Sequence, residues 1–255
     1  MAGASARIKA LVKSTLAKAG VGVSNIQGRY SQDGLFTIHS DRFRNDPVFR
    51  YAYNRGVEAS QGFDSGFEWR IHVALWAAKT ALHVAGDFVE CGVNAGFTSS
   101  AIMQKLEWDR TGRRFYLIDT FAGPVLTQYS QQENRSVQFA ERGLAAGAYV
   151  TDLDRVRKNF AEWENVRIVQ GTVPEILETI EFGAVAFLHI DMNCALPERT
   201  ALEFFWDRLS AGAIVLFDDY TYYGHDYQQD ALDSFATAKG IEILSLPTGQ
   251  GLLVR

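Results

Sequence analysis

Cysteine is nearly missing. Cys91 and Cys194 are the only two in 255 residues, too few for a disulfide framework, so a reducing, cytoplasmic setting is the expectation. No stretch is long and apolar enough to span a bilayer. The best candidate, IHVALWAAKTALHVAG, is interrupted by Lys79 and carries His72 and His83, which reads as a buried helix, and stable membrane insertion is not expected. Acidic residues are absent from the first 32 positions, which hold Arg7, Lys9, Lys13, Lys18 and Arg29. With those five positive charges there and −5 overall, the rest of the chain carries −10. That balance excludes a general nucleic-acid binder.

The basic segment places Ile8, Leu11, Val12 and Leu16 on one helical face. An arm that packs on the body or on a second subunit is expected, with a membrane surface or anionic partner as the alternative. It has no uninterrupted apolar core of the secretory kind. Repeats and low-complexity linkers are absent too. The domain reading is a helical arm and interface segment over 1–85, then one compact domain over 86–255, assembled as a homodimer or higher homo-oligomer.

From residue 86 onward, β-rich apolar runs alternate with helical patterns. The strands read as 87–92, 114–119, 166–170, 184–191, 213–219, 241–246 and 251–255. Their continuous apolarity suits strands covered on both faces. The class is therefore α/β, an open, mostly parallel seven-stranded sheet with helices on both faces. The short PTGQ link, 247–250, makes the last two strands a hairpin and the last strand antiparallel. Before residue 86 the chain reads as helical rather than β. Asp46 followed by Pro47 starts one helix, and 67–84 forms another. The polar, glycine-bearing stretch 121–150 follows the second strand, at the ligand edge of the sheet, and reads as a lid.

Open α/β sheets bind ligands outside the carboxyl ends of their strands, so the strand ends carry the chemistry. The first strand runs into GDFVECGVNAGFTSS. Gly92 and Gly96 allow close backbone approach, while free N–H groups with Thr98 and Ser99 could hold a carboxylate at a helix N-terminus. Glu90 is an acid at the end of a buried strand and needs a donor. The pattern is neither G-x-G-x-x-G nor a P-loop. Asp119 ends the second strand, where an acid suits ribose hydroxyls; the ligand is then adenosine-containing, either a dinucleotide or S-adenosylmethionine. Gly171 and Thr172 end the third strand and would border the base.

The fourth and fifth strands end in HIDMN and LFDDY. Asp191, Asp218 and Asp219 thus meet at one edge, where unpaired carboxylates repel. A hard divalent cation, magnesium by preference, removes that cost and can activate a hydroxyl. The plainer alternative is that one carboxylate caps a helix and another pairs with an arginine. His189 reads as a bonded core residue. His225, in YTYYGHDY, is the candidate for acid/base work, and the tyrosines around it line a pocket or pack at an interface.

These elements resemble the macrocin-type (TylF/MycF/NovP-like) O-methyltransferases, class I S-adenosylmethionine enzymes that methylate small-molecule hydroxyls with magnesium. The matching residues are GDFVECGVNAG, YLIDTFAG and LSAGAIVLFDDY, in order over 86–220. The resemblance implies that Glu90, Cys91, Gly92, Val93, Gly96, Thr98 and Ser99 hold the methionine part of the cofactor. It puts Asp119 and Thr120 at the ribose, and Gly171 and Thr172 near the adenine. Asp191, Asp218 and Asp219 become the magnesium ligands, and Asp191 and His225 the catalytic candidates. The family's D-x-D-x-Y is DMNCA here: Asn193 stands for the second aspartate and Ala195 for the tyrosine. An amide cannot take a proton as a carboxylate can, which leaves His225 or a metal-activated hydroxyl as the base. A sugar or other natural-product hydroxyl is the expected acceptor. A non-catalytic cofactor-binding scaffold, or a nicotinamide oxidoreductase, are the competing readings.

Overall fold

The computed structural model describes Ser14 and residues 30–255. The basic amphipathic arm therefore falls outside the described residues, except for Ser14, which is helical, and its last three positions. By its contacts the chain divides into two compact units, Met1–Asp41 and Arg42–Arg255.

In the first unit, β1 (Tyr30–Gln32) and β2 (Leu35–Thr37) form an antiparallel hairpin with Tyr30 opposite Thr37. The reading of everything before residue 86 as helical fails here. The reason is local: Asp33 and Gly34 both adopt positive φ, 51° and 71°, as a two-residue type I′ turn requires.

The second unit opens with two helices. In α1 (Pro47–Ala59), Asp46 caps the N-terminus by accepting from Val48 N at 2.8 Å, and Pro47 occupies the first turn. This is the start expected from the Asp-Pro pair. α2 (Glu68–Ala81) buries Ile71, Ala74, Leu75, Ala77, Ala78 and Ala81, and with them Glu68 and Arg70. The remaining elements are β3 (Asp87–Cys91), α3 (Phe97–Leu106), β4 (Phe115–Asp119), α4 (Asn134–Ala146), α5 (Leu153–Phe160), β5 (Val166–Gln170), β6 (Val185–Ile190), α6 (Ala195–Phe205), β7 (Leu209–Phe217), α7 (Asp226–Lys239), β8 (Leu244–Ser245) and β9 (Gly251–Val254).

All seven strands read from the sequence lie in one sheet of order β5-β4-β3-β6-β7-β9-β8. β5, β4, β3, β6 and β7 run parallel, while β9 pairs antiparallel with both β7 and β8. Period-2 alternation sends side chains to two cores. Phe88, Phe115, Leu117, Phe187, Ile214 and Leu216 pack with α1, α2 and α3. Val89, Tyr116, Ile118, Leu188, Ile190, Val215 and Phe217 pack with α6 and α7. Helices therefore cover both faces, which is why the central strands are apolar throughout. The chain builds outward from β3 through β4 to β5, then returns to lay β6 on the other side of β3. That reversal leaves a crevice between the carboxyl ends of β3 and β6.

Candidate active site

At the reversal the two strand ends touch. Asp191 N donates to Cys91 O at 2.8 Å and Gly92 N to Ile118 O at 2.8 Å. Gly92 adopts φ +88°, and a Cβ there would lie 1.8 Å from the carbonyl oxygen of Asp191. Its missing side chain is thus demanded by the neighbouring strand. Gly96, at φ +85° and the N-cap of α3, packs its bare face on the Phe160 ring, 2.4 Å from where a Cβ would be.

Asp119 organises the turn between them. One carboxylate oxygen accepts from Val93 N at 2.7 Å and Asn94 N at 2.8 Å, and the other from Phe121 N at 2.7 Å. The Thr120 hydroxyl has a single proton and lies 2.7 Å from Gly123 O but 3.3 Å from Asp119, so the shorter bond takes it. Four lone-pair sites less three N–H donors leave Asp119 one site for an outside hydroxyl.

A cleft of about 820 Å³, counted with its open mouth, lies over these strand ends. Of the residues expected in the site, Gly92, Asp119, Thr120, Gly171, Thr172 and Asp191 line it, and so does Cys194. Glu90, Cys91, Val93, Gly96, Thr98, Ser99, Asp218, Asp219 and His225 stand behind or beside the lining. Ser99 is fully buried, and its hydroxyl has no partner among the described residues. Cys91 is buried, and burial with Glu90 and Asp119 nearby pushes its thiol far up. Burial and Glu133 push Cys194 to about 12.

The stretch 121–150 walls the cleft with Gly123, Pro124, Val125, Gln128, Tyr129, Tyr149 and Val150. It contains α4 and is latched to the body by several side-chain hydrogen bonds. Asn94 Nδ2 donates to Ala148 O at 3.0 Å, and Asn94 Oδ1 accepts from Val150 N at 2.8 Å. Gln128 Nε2 donates to Val173 O at 2.6 Å, and Glu133 accepts from Ala195 N at 2.9 Å.

The far side of the crevice is a buried charge network. Arg70, reaching in from α2, donates through Nη1 to Asp218 Oδ2 at 2.5 Å and to Asp219 Oδ1 at 2.9 Å, and its guanidinium lies 4.5 Å above the Tyr222 ring. Gln250 Nε2 donates to Asp218 Oδ1 at 2.9 Å. His189 bonds Glu90 through Nδ1 at 2.9 Å, while its Nε2 sits 3.8 Å from Asp218, an ion-pair contact beyond hydrogen-bond length. Burial alone would lower His189; Asp218 and Glu90 outweigh it and carry the imidazole up to about 10. Burial raises Asp218, but Arg70, His189 and Gln250 bring it below the usual carboxylate range. Asp191 goes the other way: burial and the charges of Asp218 and Asp219 hold its pKa well above the ordinary value. Asn193 Nδ2 donates to Asp191 Oδ1 at 3.2 Å.

A magnesium site at Asp191, Asp218 and Asp219 is not what these residues build. Among the described residues no group of three or more His, Cys, Asp and Glu side chains is arranged to hold a metal. The space between Asp218 and Asp219 is bridged by a guanidinium. The donor set therefore does not fit the ion, and the arginine pairing weighed as the plainer alternative is present.

His225 does not face the cleft. It is 4% exposed, bonds Gln228 through Nδ1 and stacks on Phe139. Gln228 passes the chain of bonds to Glu198 at 2.7 Å, which also accepts from Met192 N at 3.1 Å and Asn193 N at 2.9 Å. His225 is thereby a strut under the loop that follows Asp191. The tyrosines around it pack rather than line the cleft: Tyr220 bonds Asp233, Tyr222 lies under Arg70, and Tyr223 and Tyr227 are exposed. Arg70, Asn94, Tyr129, Tyr149 and Glu198 are the contributors missed from the sequence. For Arg70 a signal existed, because it falls on the same helical face as Ala74, Ala77 and Ala81, and a charge on a buried face needs an acidic partner.

Comparison with known proteins identifies the family. Residues 73–244 match the family described as macrocin-O-methyltransferase (TylF). The chain is 30% identical over 218 residues, 78% of its length and 81% of the relative's, to the 8-demethyl-8-(2,3-dimethoxy-alpha-L-rhamnosyl)-tetracenomycin-C 4'-O-methyltransferase of Streptomyces olivaceus. Among solved structures, the O-methyltransferase NovP superposes with a TM-score of 0.67 at 18% identity, over 85% of this chain and 99% of its own. The calicheamicin methyltransferase CalS11 gives 0.58 at 16%, over 89% and 98%. With the family matched across most of its length and its fold shared with NovP, the chain is an O-methyltransferase of the macrocin O-methyltransferase family.

Proposed function

We propose that the chain moves a methyl group from S-adenosylmethionine to a hydroxyl on the sugar of a small glycosylated natural product. The observation that carries this reading is the cleft, whose lining includes Gly92, Asp119 and Asp191. Asp119 keeps one acceptor site for a ribose hydroxyl, and Ile118 and Val173 offer apolar surface to a planar base. These residues fit the cofactor. When bound, it supplies a methyl group on a positively charged sulfur, open to attack by oxygen.

The chain's part is positioning and proton transfer. Asp191 lines the cleft, is held by Asn193, and has the raised pKa that makes a carboxylate an effective base. It takes the proton of the acceptor hydroxyl. Tyr129 and Tyr149 present amphipathic rings on the insertion side, where an acceptor sugar would lie. The sugar class follows the rhamnosyl substrate named for the Streptomyces relative.

Calorimetry with S-adenosylhomocysteine, paired with methyl transfer onto a panel of rhamnosylated small molecules, tests the reading. Binding of the nucleoside, and a loss of about 10²-fold or more in kcat for Asp191→Asn with that binding unchanged, are expected. A folded protein that binds no S-adenosylhomocysteine sinks it.

A further inference from the structure

We infer that the acidic end of β6 and β7 is neutralised from within the chain by Arg70, and that this protein has no divalent-cation site there. The inference rests on the methyltransferase reading of the same crevice. Arg70 is 7% exposed, and its Nη1 lies 2.5 Å from Asp218 and 2.9 Å from Asp219. A guanidinium so placed stands in the position an ion would need in order to bridge these two carboxylates. It is held there from its other side by the face of Tyr222.

Two of the four remaining oxygens, Asp218 Oδ1 and Asp191 Oδ1, are met by nitrogen donors as well. Gln250 donates to Asp218, and Asn193 donates to Asp191. A magnesium ion requires near-octahedral oxygen coordination at about 2.0–2.1 Å and gives up water reluctantly. To bind here it would have to displace a buried, doubly bonded guanidinium and then share a low-dielectric pocket with that like charge. Asn193 deepens the mismatch. As an amide it supplies no negative charge, and its N–H₂ end points at Asp191. Arg70 is in these terms a positioning residue: it fixes Asp218 and Asp219, whose charges in turn set the surroundings of Asp191.

The test is a titration of Mn²⁺ into the full chain in the presence of S-adenosylhomocysteine, with free ion read by electron paramagnetic resonance. Wild type should leave the ion free up to roughly millimolar concentration. Arg70→Lys, which keeps the charge, should do the same, and folded Arg70→Ala should take up about one ion per chain. One Mn²⁺ bound by wild type and lost in Asp218→Asn overturns the inference, whether or not Arg70→Ala folds. If folded Arg70→Ala takes up none, Arg70 is not what excludes the ion, and its assigned role is overturned. Calorimetry separates this from the wider reading. S-adenosylhomocysteine bound together with Mn²⁺ defeats only the inference, whereas no nucleoside binding defeats the methyltransferase reading.

Discussion

The two sides of the crevice are built by opposite means. On the side of β3, β4 and β5, an open cleft is shaped by backbone: a glycine turn, its N–H groups gathered by Asp119, and a wall latched to the body by side chain–backbone hydrogen bonds. Where β6 and β7 end, a largely buried charge network is held by Arg70 from α2, His189, Glu90 from β3, Asp218 and Asp219. The first side gains its order from short contacts between chain ends and leaves room for a ligand. The second spends its polar groups on one another. The division suits the proposed reaction, in which a cofactor is seated on one side and an acceptor hydroxyl gives its proton to Asp191.

Removing the key group on the charged side should do the greater damage. Arg70→Ala leaves Asp218 and Asp219 buried without their cation, and breaking such a pair costs about 3–5 kcal/mol. Urea denaturation should register that loss. A change below about 1 kcal/mol would mean that solvent already screens the network, and the contrast between the two sides would collapse.

Gly92→Ala attacks the seam itself. It forces an L side chain to φ +88° with its Cβ 1.8 Å from the Asp191 carbonyl, so strain and overpacking together should cost about 2–4 kcal/mol. Because the clash lies on the strand that carries Asp191, methyl transfer should fall even at temperatures where the variant stays folded. Full activity would show that the strand ends can part without consequence.

The contrast also explains what could be read from the sequence. The cleft side was legible because its determinants are local: a strand, a glycine turn and an acid at the next strand's end, whose relative positions follow from parallel topology. The charged side was half legible. Strand ends predict where Asp191, Asp218 and Asp219 gather, but the group that neutralises them arrives from 148 residues away, and nothing in strand periodicity encodes that meeting. His225 misleads for a related reason. A polar loop rich in tyrosine looks the same in sequence whether it faces a ligand or supports a neighbouring loop, and only the Gln228 and Glu198 bonds decide it. The hairpin at Tyr30–Thr37 was readable in Asp33-Gly34, a turn signal that outweighs the helical character of the residues after it.

On the cleft side the expected effects are smaller. Asp119→Asn keeps the shape but replaces one accepting oxygen with a donor, so either Phe121 N or the Val93 and Asn94 pair faces an N–H₂ group. Losing a charged acceptor there should cost about 1.5–3 kcal/mol, and affinity for S-adenosylhomocysteine should drop at least about tenfold as the turn loosens. Calorimetry on the folded variant separates a seating role from a purely structural one: unchanged affinity assigns Asp119 to the turn alone.

The smallest effect distinguishes a fixed wall from a lid. Asn94 sits at φ 51°, so Asn94→Gly removes both of its bonds to the insertion without adding backbone strain. Two partly exposed neutral hydrogen bonds are worth about 1 kcal/mol each at most in global stability, and the melting temperature should move by only a few degrees. The local result should be larger, because those bonds hold the chain at Ala148 and Val150, where the insertion rejoins the body. Amide exchange over residues 121–150 should quicken while α2 and β6 keep their protection. If exchange there is unchanged, the wall is held by Gln128 and Glu133 instead, and the insertion closes from the α6 side rather than from the glycine turn.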